Sequence, residues 1–156
     1  MDQRCFPSSC FSLVVICFLM LGCESNSGPN TPEVVMSKAE LVVRSLGDAF
    51  NAHDPAAMAE HVADDILWLG FAAADSVYTE ADGKEALIAG MGGYFNAVPS
   101  VRSQMEDVVV TGNFVAYRER VFWQSEDGER SQAALAVYEV QDQLVQRVWY
   151  YPAVAD

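Results

Sequence analysis

The sequence has no cysteine after Cys23 and carries little positive charge. All four cysteines lie within the first 23 of 156 residues, so the rest of the chain can form no internal disulfide. Only 9 lysines and arginines stand against 22 aspartates and glutamates, which gives a net charge of -13. A chain this acidic repels phosphate backbones at long range, and we therefore predict no nucleic-acid partner.

The sequence also lacks an apolar run long enough to cross a membrane near its start. The run from Cys10 to Leu21 is shorter than the roughly 20 residues of a spanning helix, but it has the length of the apolar part of a secretory signal. Gly22 and Cys23 follow it and resemble the lipobox of bacterial lipoproteins, whose cysteine is acylated after cleavage. We therefore predict a signal peptide over residues 1–22 and lipidation of Cys23, with ordinary secretion as the alternative.

These assignments predict an exported protein that a lipid on Cys23 anchors to the membrane, facing the periplasm or the cell exterior. Residues 24–31 contain no large apolar side chain and include Gly28 and Pro29, as is typical of a flexible tether. Residues 32–152 then form one domain, which is large enough to bury a core without disulfides.

The domain begins with helical patterns and ends with strand patterns. Thr31-Pro32 and Ser37-x-x-Glu40 are two candidate starts for a first helix with one apolar face, and Asp54-Pro55 starts a short second helix over residues 56–62. Residues 63–65 end this helical pair. The order of helices followed by strands predicts an α+β fold. The later segments are predicted as a strand at 66–71, a polar loop at 75–82, a third helix from Gly83, and strands at 101–110, 114–124, 130–140 and 144–151.

Three glycines interrupt the third helix. Gly90, Gly92 and Gly93 each weaken a helix by roughly 1 kcal/mol relative to alanine. They predict close backbone packing or a bend in this helix.

Four short motifs follow one another along the chain: Phe50-Asn-Ala-His-Asp54, Ala63-Asp-Asp65, Gly83-Lys-Glu-Ala86 and Arg147-Val-Trp-Tyr-Tyr-Pro152. In this order they resemble the SnoaL-like branch of the nuclear transport factor 2 and ketosteroid isomerase superfamily. The resemblance implies a cone-shaped domain in which a curved antiparallel sheet, with the N-terminal helices on its concave face, encloses a pocket. It implies no single function, because the family includes isomerases, cyclases, dehydratases, epoxide hydrolases and binding proteins.

The catalytic residues that the resemblance implies are absent from the corresponding positions. The base, tyrosine and protonated acid of ketosteroid isomerase correspond to Gly70, Leu46 and Ala136, none of which can transfer a proton. The epoxide hydrolases need an Arg-x-Asp where this chain has Arg118-x-Arg120. The dehydratases need paired pocket histidines, whereas His53 and His61 fit capping or surface positions better. We therefore predict no catalytic residue from these motifs, and no metal or cofactor.

The alternation of side chains along the strands predicts which of them line the pocket. One face of the 114–124 strand carries Val115, Tyr117, Glu119, Val121 and Trp123, and we assign this mostly apolar face to the outside as a candidate homodimer contact. The opposite face then points inward. The predicted ligand-binding residues are Trp68, Arg118, Arg120, Tyr138, Arg147, Trp149 and Tyr151.

Three functions fit this pattern. In the first, three arginines among aromatic side chains bind a small organic ligand, one that carries an anionic group, at the cell envelope. In the second, the domain is an isomerase, cyclase or dehydratase whose Arg118, Arg120, Arg147 and Tyr138 stabilise an oxyanion. In the third, it is a non-catalytic module that binds a protein. In place of a ligand, the arginines could instead pair with nearby carboxylates as structural ion pairs.

Overall fold

The computed structural model describes residues 36–72 and 76–155. The predicted signal peptide, Cys23, the tether and the helix start at Thr31 lie outside these residues. In chain order the described elements are α1 (Lys38–Asn51), α2 (Pro55–Ala59), β1 (Val62–Phe71), β2 (Val77–Asp82), α3 (Lys84–Ala97), β3 (Arg102–Thr111), β4 (Phe114–Ser125), β5 (Gly128–Gln141), β6 (Leu144–Tyr150) and β7 (Val154–Ala155).

The strands form one curved sheet that does not close on itself. Its order is β2-β1-β6-β5-β4-β3, and the short β7 pairs with β5. Neighbouring strands are antiparallel except for β1 and β6, which run parallel. The helices pack on one side of the sheet, with α1 against β3 to β6 and α3 against β1 and β2. The predicted α+β fold is confirmed, and the parallel pair makes its sheet mixed.

Local signals fix where the first two helices begin. The Ser37 side chain accepts a hydrogen bond from the Glu40 amide at 3.0 Å, as the capping pattern predicts. Asp54 caps α2 in the same way through the Ala57 amide. The apolar face of α1 is buried against the sheet, as its periodicity predicts. Its buried residues are Ala39, Val43, Leu46 and Ala49.

Two segments differ from the sequence prediction. The second helix ends at Ala59 instead of at residue 62, and residues 62–65 belong to β1 instead of ending the helical pair. Most of the predicted loop at 75–82 is the edge strand β2. An edge strand with most of its side chains exposed has the polar composition of a loop, which explains the error. The helix from Gly83 is confirmed as α3. Close packing at its three glycines is wrong, because a Cβ atom at Gly90, Gly92 or Gly93 would meet nothing within 4 Å.

The face assigned to β4 is also wrong. Val115, Tyr117 and Glu119 are buried under the helices, at 0%, 3% and 7% exposure, so this face of the strand points inward. Arg118 and Arg120 lie on the opposite face of the sheet. The alternation itself was read correctly, but the choice between the two faces was reversed. The proposed outer apolar face therefore does not exist as described.

The end of α1 is tied to the start of β3. The Asn51 side chain donates to the Ser103 carbonyl at 2.9 Å and accepts from the Ser103 amide at 2.7 Å. His53 bonds the Val101 carbonyl through Nε2 at 2.7 Å and stacks on Phe95 with ring centroids 4.6 Å apart. These contacts give His53 a structural role and hold Ser103 in place near the start of β3, an edge strand of the sheet. Among the described residues, no helix is long and apolar enough to span a membrane.

Candidate functional site

A cavity of about 320 Å³ lies between the concave face of the sheet and the helices. Its volume is at the lower end of the range of about 300–1,000 Å³ that is common for ligand pockets. Seven aromatic side chains contribute to its wall: Phe50, Trp68, Phe71, Tyr78, Tyr94, Tyr150 and Tyr151. Two carboxylates, Glu80 and Glu119, also face it. No lysine, arginine or histidine of the described part of the chain lines it.

Glu119 is the buried polar group of this wall. It projects inward from β4, where it accepts hydrogen bonds from the Ser103 hydroxyl on β3 and the Tyr150 hydroxyl on β6. The Tyr138 hydroxyl in turn lies 2.9 Å from that of Tyr150. Because Tyr150 donates to Glu119, Tyr138 is the donor in this second bond. Four consecutive strands of the sheet, β3 to β6, thus supply one connected network around a single carboxyl group.

The surroundings of Glu119 favour its protonated form. Burial raises the pKa of the Glu119 carboxyl above its ordinary value, and the hydrogen bonds from Ser103 and Tyr150 offset only part of that rise. Burial also raises the pKa of the Tyr150 hydroxyl well above its ordinary value, and the charge that Glu119 carries when it is ionised adds to this rise. The same two causes raise the pKa of Tyr94, which faces the cavity from α3. The site therefore holds proton donors close to an apolar surface.

Aromatic stacking fixes the position of Tyr150. Its ring stacks on Trp68 with centroids 5.5 Å apart and planes at 10°. Trp68 also meets Tyr138 edge to face at 6.1 Å. Such contacts restrict the rings in addition to the area that they bury. The hydroxyl that bonds Glu119 is consequently held by packing as well as by hydrogen bonding.

Glu80 reaches the same cavity from the edge of the sheet. The pairing of β1 and β2 shifts between Trp68 and Leu69, so that Glu80 is the extra residue of a β-bulge. Gly70 lies opposite Tyr78, and a Cβ atom at Gly70 would come within 2.3 Å of the Tyr78 ring and 2.8 Å of Glu80 Oε1. The Tyr78 hydroxyl donates to this same oxygen at 3.2 Å. The absent side chain of Gly70 thus makes room for a carboxylate from the neighbouring strand.

The structure brings three of the seven predicted ligand-binding residues to this site. Trp68 and Tyr151 line the cavity. Tyr138 is buried behind the wall and reaches the cavity through Tyr150. Tyr151 stacks on Phe71 with centroids 4.6 Å apart.

The other four predicted residues lie on the opposite face of the sheet. Arg118 and Arg120 both bond the Glu106 carboxylate, the latter through Nε at 2.9 Å. Hydrogen bonding from Arg120 is the main reason why the pKa of Glu106 is lowered. Arg147 bonds Glu139 at 2.9 Å, as the ion-pair alternative predicts for an arginine.

Trp149 is on this face as well, beside Phe114. The inward orientation predicted for these four residues is wrong because the faces of β4 and β6 were exchanged.

Sequence reasoning missed Glu119, Tyr150 and Glu80. The predicted register assigns Glu119 to the outer face of β4, although its face of this strand carries one charged residue and the other carries two. Burial of one carboxyl, which can protonate, costs less than burial of two guanidinium groups, which cannot. That comparison would have selected the correct face. No pattern in the sequence indicates the bulge at Glu80.

Comparison with known proteins agrees with this architecture. The model of the SnoaL-like domain family matches residues 43–148, which is more than half of the chain. The chain belongs to the SnoaL-like domain family. The search of curated proteins found no match.

Solved structures share the fold of this SnoaL-like domain at low sequence identity. An uncharacterized cystatin-fold protein from Novosphingobium aromaticivorans is 22% identical over 74% of this chain and 98% of its own, with a TM-score of 0.62. IdmH, a polyketide cyclase candidate from Streptomyces antibioticus, is 17% identical over 77% of this chain and 93% of its own, with a TM-score of 0.62. An LEH-like epoxide hydrolase from M. tuberculosis is 14% identical over 76% of this chain and 83% of its own, with a TM-score of 0.58. The fold is therefore shared by proteins with different descriptions, and the function must be argued from the site.

Proposed function

We propose that this SnoaL-like domain binds a small, mainly apolar organic compound whose carbonyl oxygen accepts a hydrogen bond from protonated Glu119. The observation that carries the proposal is a buried carboxyl group in the wall of an aromatic cavity, held by Ser103 and Tyr150. A carboxyl group that stays protonated donates a hydrogen bond to a neutral oxygen without a change of charge in the cavity.

The charges of the wall favour a neutral ligand over an anionic one. Glu80 and Glu119 face the cavity, and the described residues that line it include no cation. The three arginines on which the anionic ligand depended are on the other face of the sheet. We therefore no longer favour a carboxylate ligand, and the aromatic walls favour a planar ring.

The proposal is tested by the pH dependence of binding. We would titrate the protein with acetophenone, which combines one ring with one carbonyl oxygen, and measure Kd by ligand-observed NMR across the range from acidic to mildly alkaline pH. Affinity should fall as the pH rises through the pKa of Glu119, because the ionised carboxylate no longer donates. Glu119→Gln keeps a donor at every pH and should bind with no such decline.

Glu106→Gln is the matched control, since it removes a carboxylate from the opposite face. It should keep the wild-type decline in affinity with pH. A pH profile of binding that Glu119→Gln leaves unchanged would refute the proposal.

A second candidate function is proton transfer at carbon, and the β-bulge favours it. Glu80 brings a second carboxylate to the cavity that holds Glu119, and the two groups differ sharply in exposure. In this function, Glu80 removes a proton from the carbon beside the ligand carbonyl, and Glu119 stabilises the enolate oxygen until the proton returns.

The test is hydrogen exchange of the acetophenone methyl group in D₂O, followed by NMR. The wild type should accelerate exchange. Glu80→Gln should abolish the acceleration and keep Kd, whereas equal exchange rates for the two proteins would exclude this role of Glu80.

Export and lipidation at Cys23 also remain proposals. They rest on the apolar run that ends at Gly22-Cys23. Expression in a bacterium with a labelled fatty acid should label the chain, and Cys23→Ala should remove the label. A label that persists in this variant would refute acylation at Cys23.

A further inference from the structure

A second cavity of about 320 Å³ adjoins the one that holds Glu119. The two cavities share four wall residues: Trp68, Glu80, Met91 and Tyr94. Because the same side chains form part of both walls, a molecule seated against Trp68 and Tyr94 touches both spaces. We call the second space the side cavity.

The side cavity differs from the first in its chemistry. The residues that only it contains are Ala86, Leu87 and Gly90 on α3 and Ala81 on β2, all of them without a polar side chain. Glu119 and Tyr150 belong to the first cavity. The two spaces together thus run from a hydrogen-bonding end to an apolar end.

Gly90 keeps part of the side cavity open. A Cβ atom there would meet nothing within 4 Å, and Gly90 lies in the wall of this cavity. A glycine inside a helix costs stability relative to alanine. Gly90 is exposed and no neighbour would clash with a side chain there, so a larger residue at this position can be accommodated and would narrow the space beside it.

We infer that the two cavities are one elongated binding site, in which the first cavity takes the ring and carbonyl of the ligand and the side cavity takes an apolar chain attached to them. The ligand class is therefore a ketone that joins a ring to an alkyl chain, and Gly90 sets the length of chain that fits. This inference rests on the proposed function, because the carbonyl at Glu119 determines which end of the ligand enters which cavity.

The test is a series of phenyl n-alkyl ketones, from acetophenone to heptanophenone, with Kd measured by calorimetry or ligand-observed NMR. In the wild type, each added methylene that enters the side cavity should tighten binding about fourfold. Gly90→Leu should bind acetophenone as the wild type does and lose the gain with chain length, because the leucine side chain occupies the space.

Gly93→Leu is the matched control. It makes the same change in the same helix at a position that is exposed like Gly90, but Gly93 is not among the described residues that line either cavity. Both substitutions favour the helix equally, so a change in helix stability affects both variants in the same way. The control should keep the fourfold gain for each methylene.

The outcomes separate the two proposals. If affinity does not increase with chain length in the wild type, or increases equally in Gly90→Leu and Gly93→Leu, the elongated site is overturned, while the pH dependence of acetophenone binding still supports the role of Glu119. If affinity increases with chain length and only Gly90→Leu loses this increase, but binding does not depend on Glu119, the role of the side cavity is supported and the proposed hydrogen bond from Glu119 to the carbonyl is overturned. If no ketone of the series binds, both are overturned.

Discussion

The hydrogen bond from Tyr150 to Glu119 should contribute more to stability at high pH than at low pH. Tyr150→Phe removes this donor and keeps the ring that stacks on Trp68. Where Glu119 is protonated, the lost bond joins two neutral groups and is worth about 1 kcal/mol. Where Glu119 is ionised, the bond stabilises a buried charge and is worth about 1.5–3 kcal/mol.

The direction follows from linkage between protonation and folding. Burial raises the pKa of Glu119 in the folded protein above its unfolded value, so the folded state binds this proton more tightly. The stability that this provides is fully present below the ordinary glutamate pKa of about 4.3 and is lost as the pH rises through the folded pKa. Tyr150→Phe raises the pKa of Glu119 in the folded protein further, because it removes a hydrogen bond that favours the carboxylate. The variant should therefore lose more stability than the wild type as the pH rises.

The assay is urea unfolding followed by circular dichroism over that pH range, for the wild type, Tyr150→Phe, Glu119→Gln and the double variant. The cost of Tyr150→Phe should grow with pH in the wild-type background and stay constant in the Glu119→Gln background. Tyr150→Phe also removes the hydrogen-bond acceptor of the Tyr138 hydroxyl. This second loss lowers the free energy of unfolding by the same amount at every pH. If the cost of Tyr150→Phe does not change with pH, or changes equally in both backgrounds, the account of this hydrogen bond is refuted.

Two further substitutions test the edge strand and the outer face. Gly70→Ala places a methyl group 2.3 Å from the Tyr78 ring and 2.8 Å from Glu80 Oε1. Since both side chains are exposed, they should move away, and the free energy of unfolding should fall by less than about 1 kcal/mol. Melting should then change little while exchange of the ketone methyl protons slows, and a large loss of stability would show that Tyr78 and Glu80 cannot move. Hydrogen bonding from Arg120 lowers the pKa of Glu106, so this pair stabilises the folded state above the unfolded pKa of Glu106 and the stabilisation is lost on acidification. Glu106→Gln should therefore reduce the loss of stability at acidic pH, measured by urea unfolding. An unchanged loss of stability at acidic pH would contradict the pairing.

Capping residues and periodicity were sufficient to predict the helices and most strands. Ser37 and Asp54 mark helix starts through a bond to a nearby amide, and such contacts span three residues, so the sequence alone contains them. The turn at residues 142–143 is equally local, with both residues at positive φ between β5 and β6. The edge strand β2 was missed because its exposed side chains give no apolar alternation.

The candidate site depended on a choice that is not local. The alternation along β4 separates its two faces, but it does not say which face the helices cover. Glu119 becomes a site residue only when Ser103 and Tyr150 arrive from strands that are distant in sequence. Trp68 points inward as predicted, because β1 buries one face with little charge on it, whereas both faces of β4 carry charged and aromatic residues.

The parallel pairing of β1 with β6 has a consequence for the chain while it is being synthesised. Residues of β1 have one of their two sheet neighbours in β6, which is synthesised after β2 to β5, since Val62 pairs with Val145 and Gly70 with Tyr150. A strand can pair only after it has been synthesised. A nascent chain that ends before residue 144 therefore lacks β6, the strand that joins the β3–β5 meander to β1 and β2 within the sheet. The cavity that Glu119 lines is therefore completed only after Tyr150 of β6 has been synthesised.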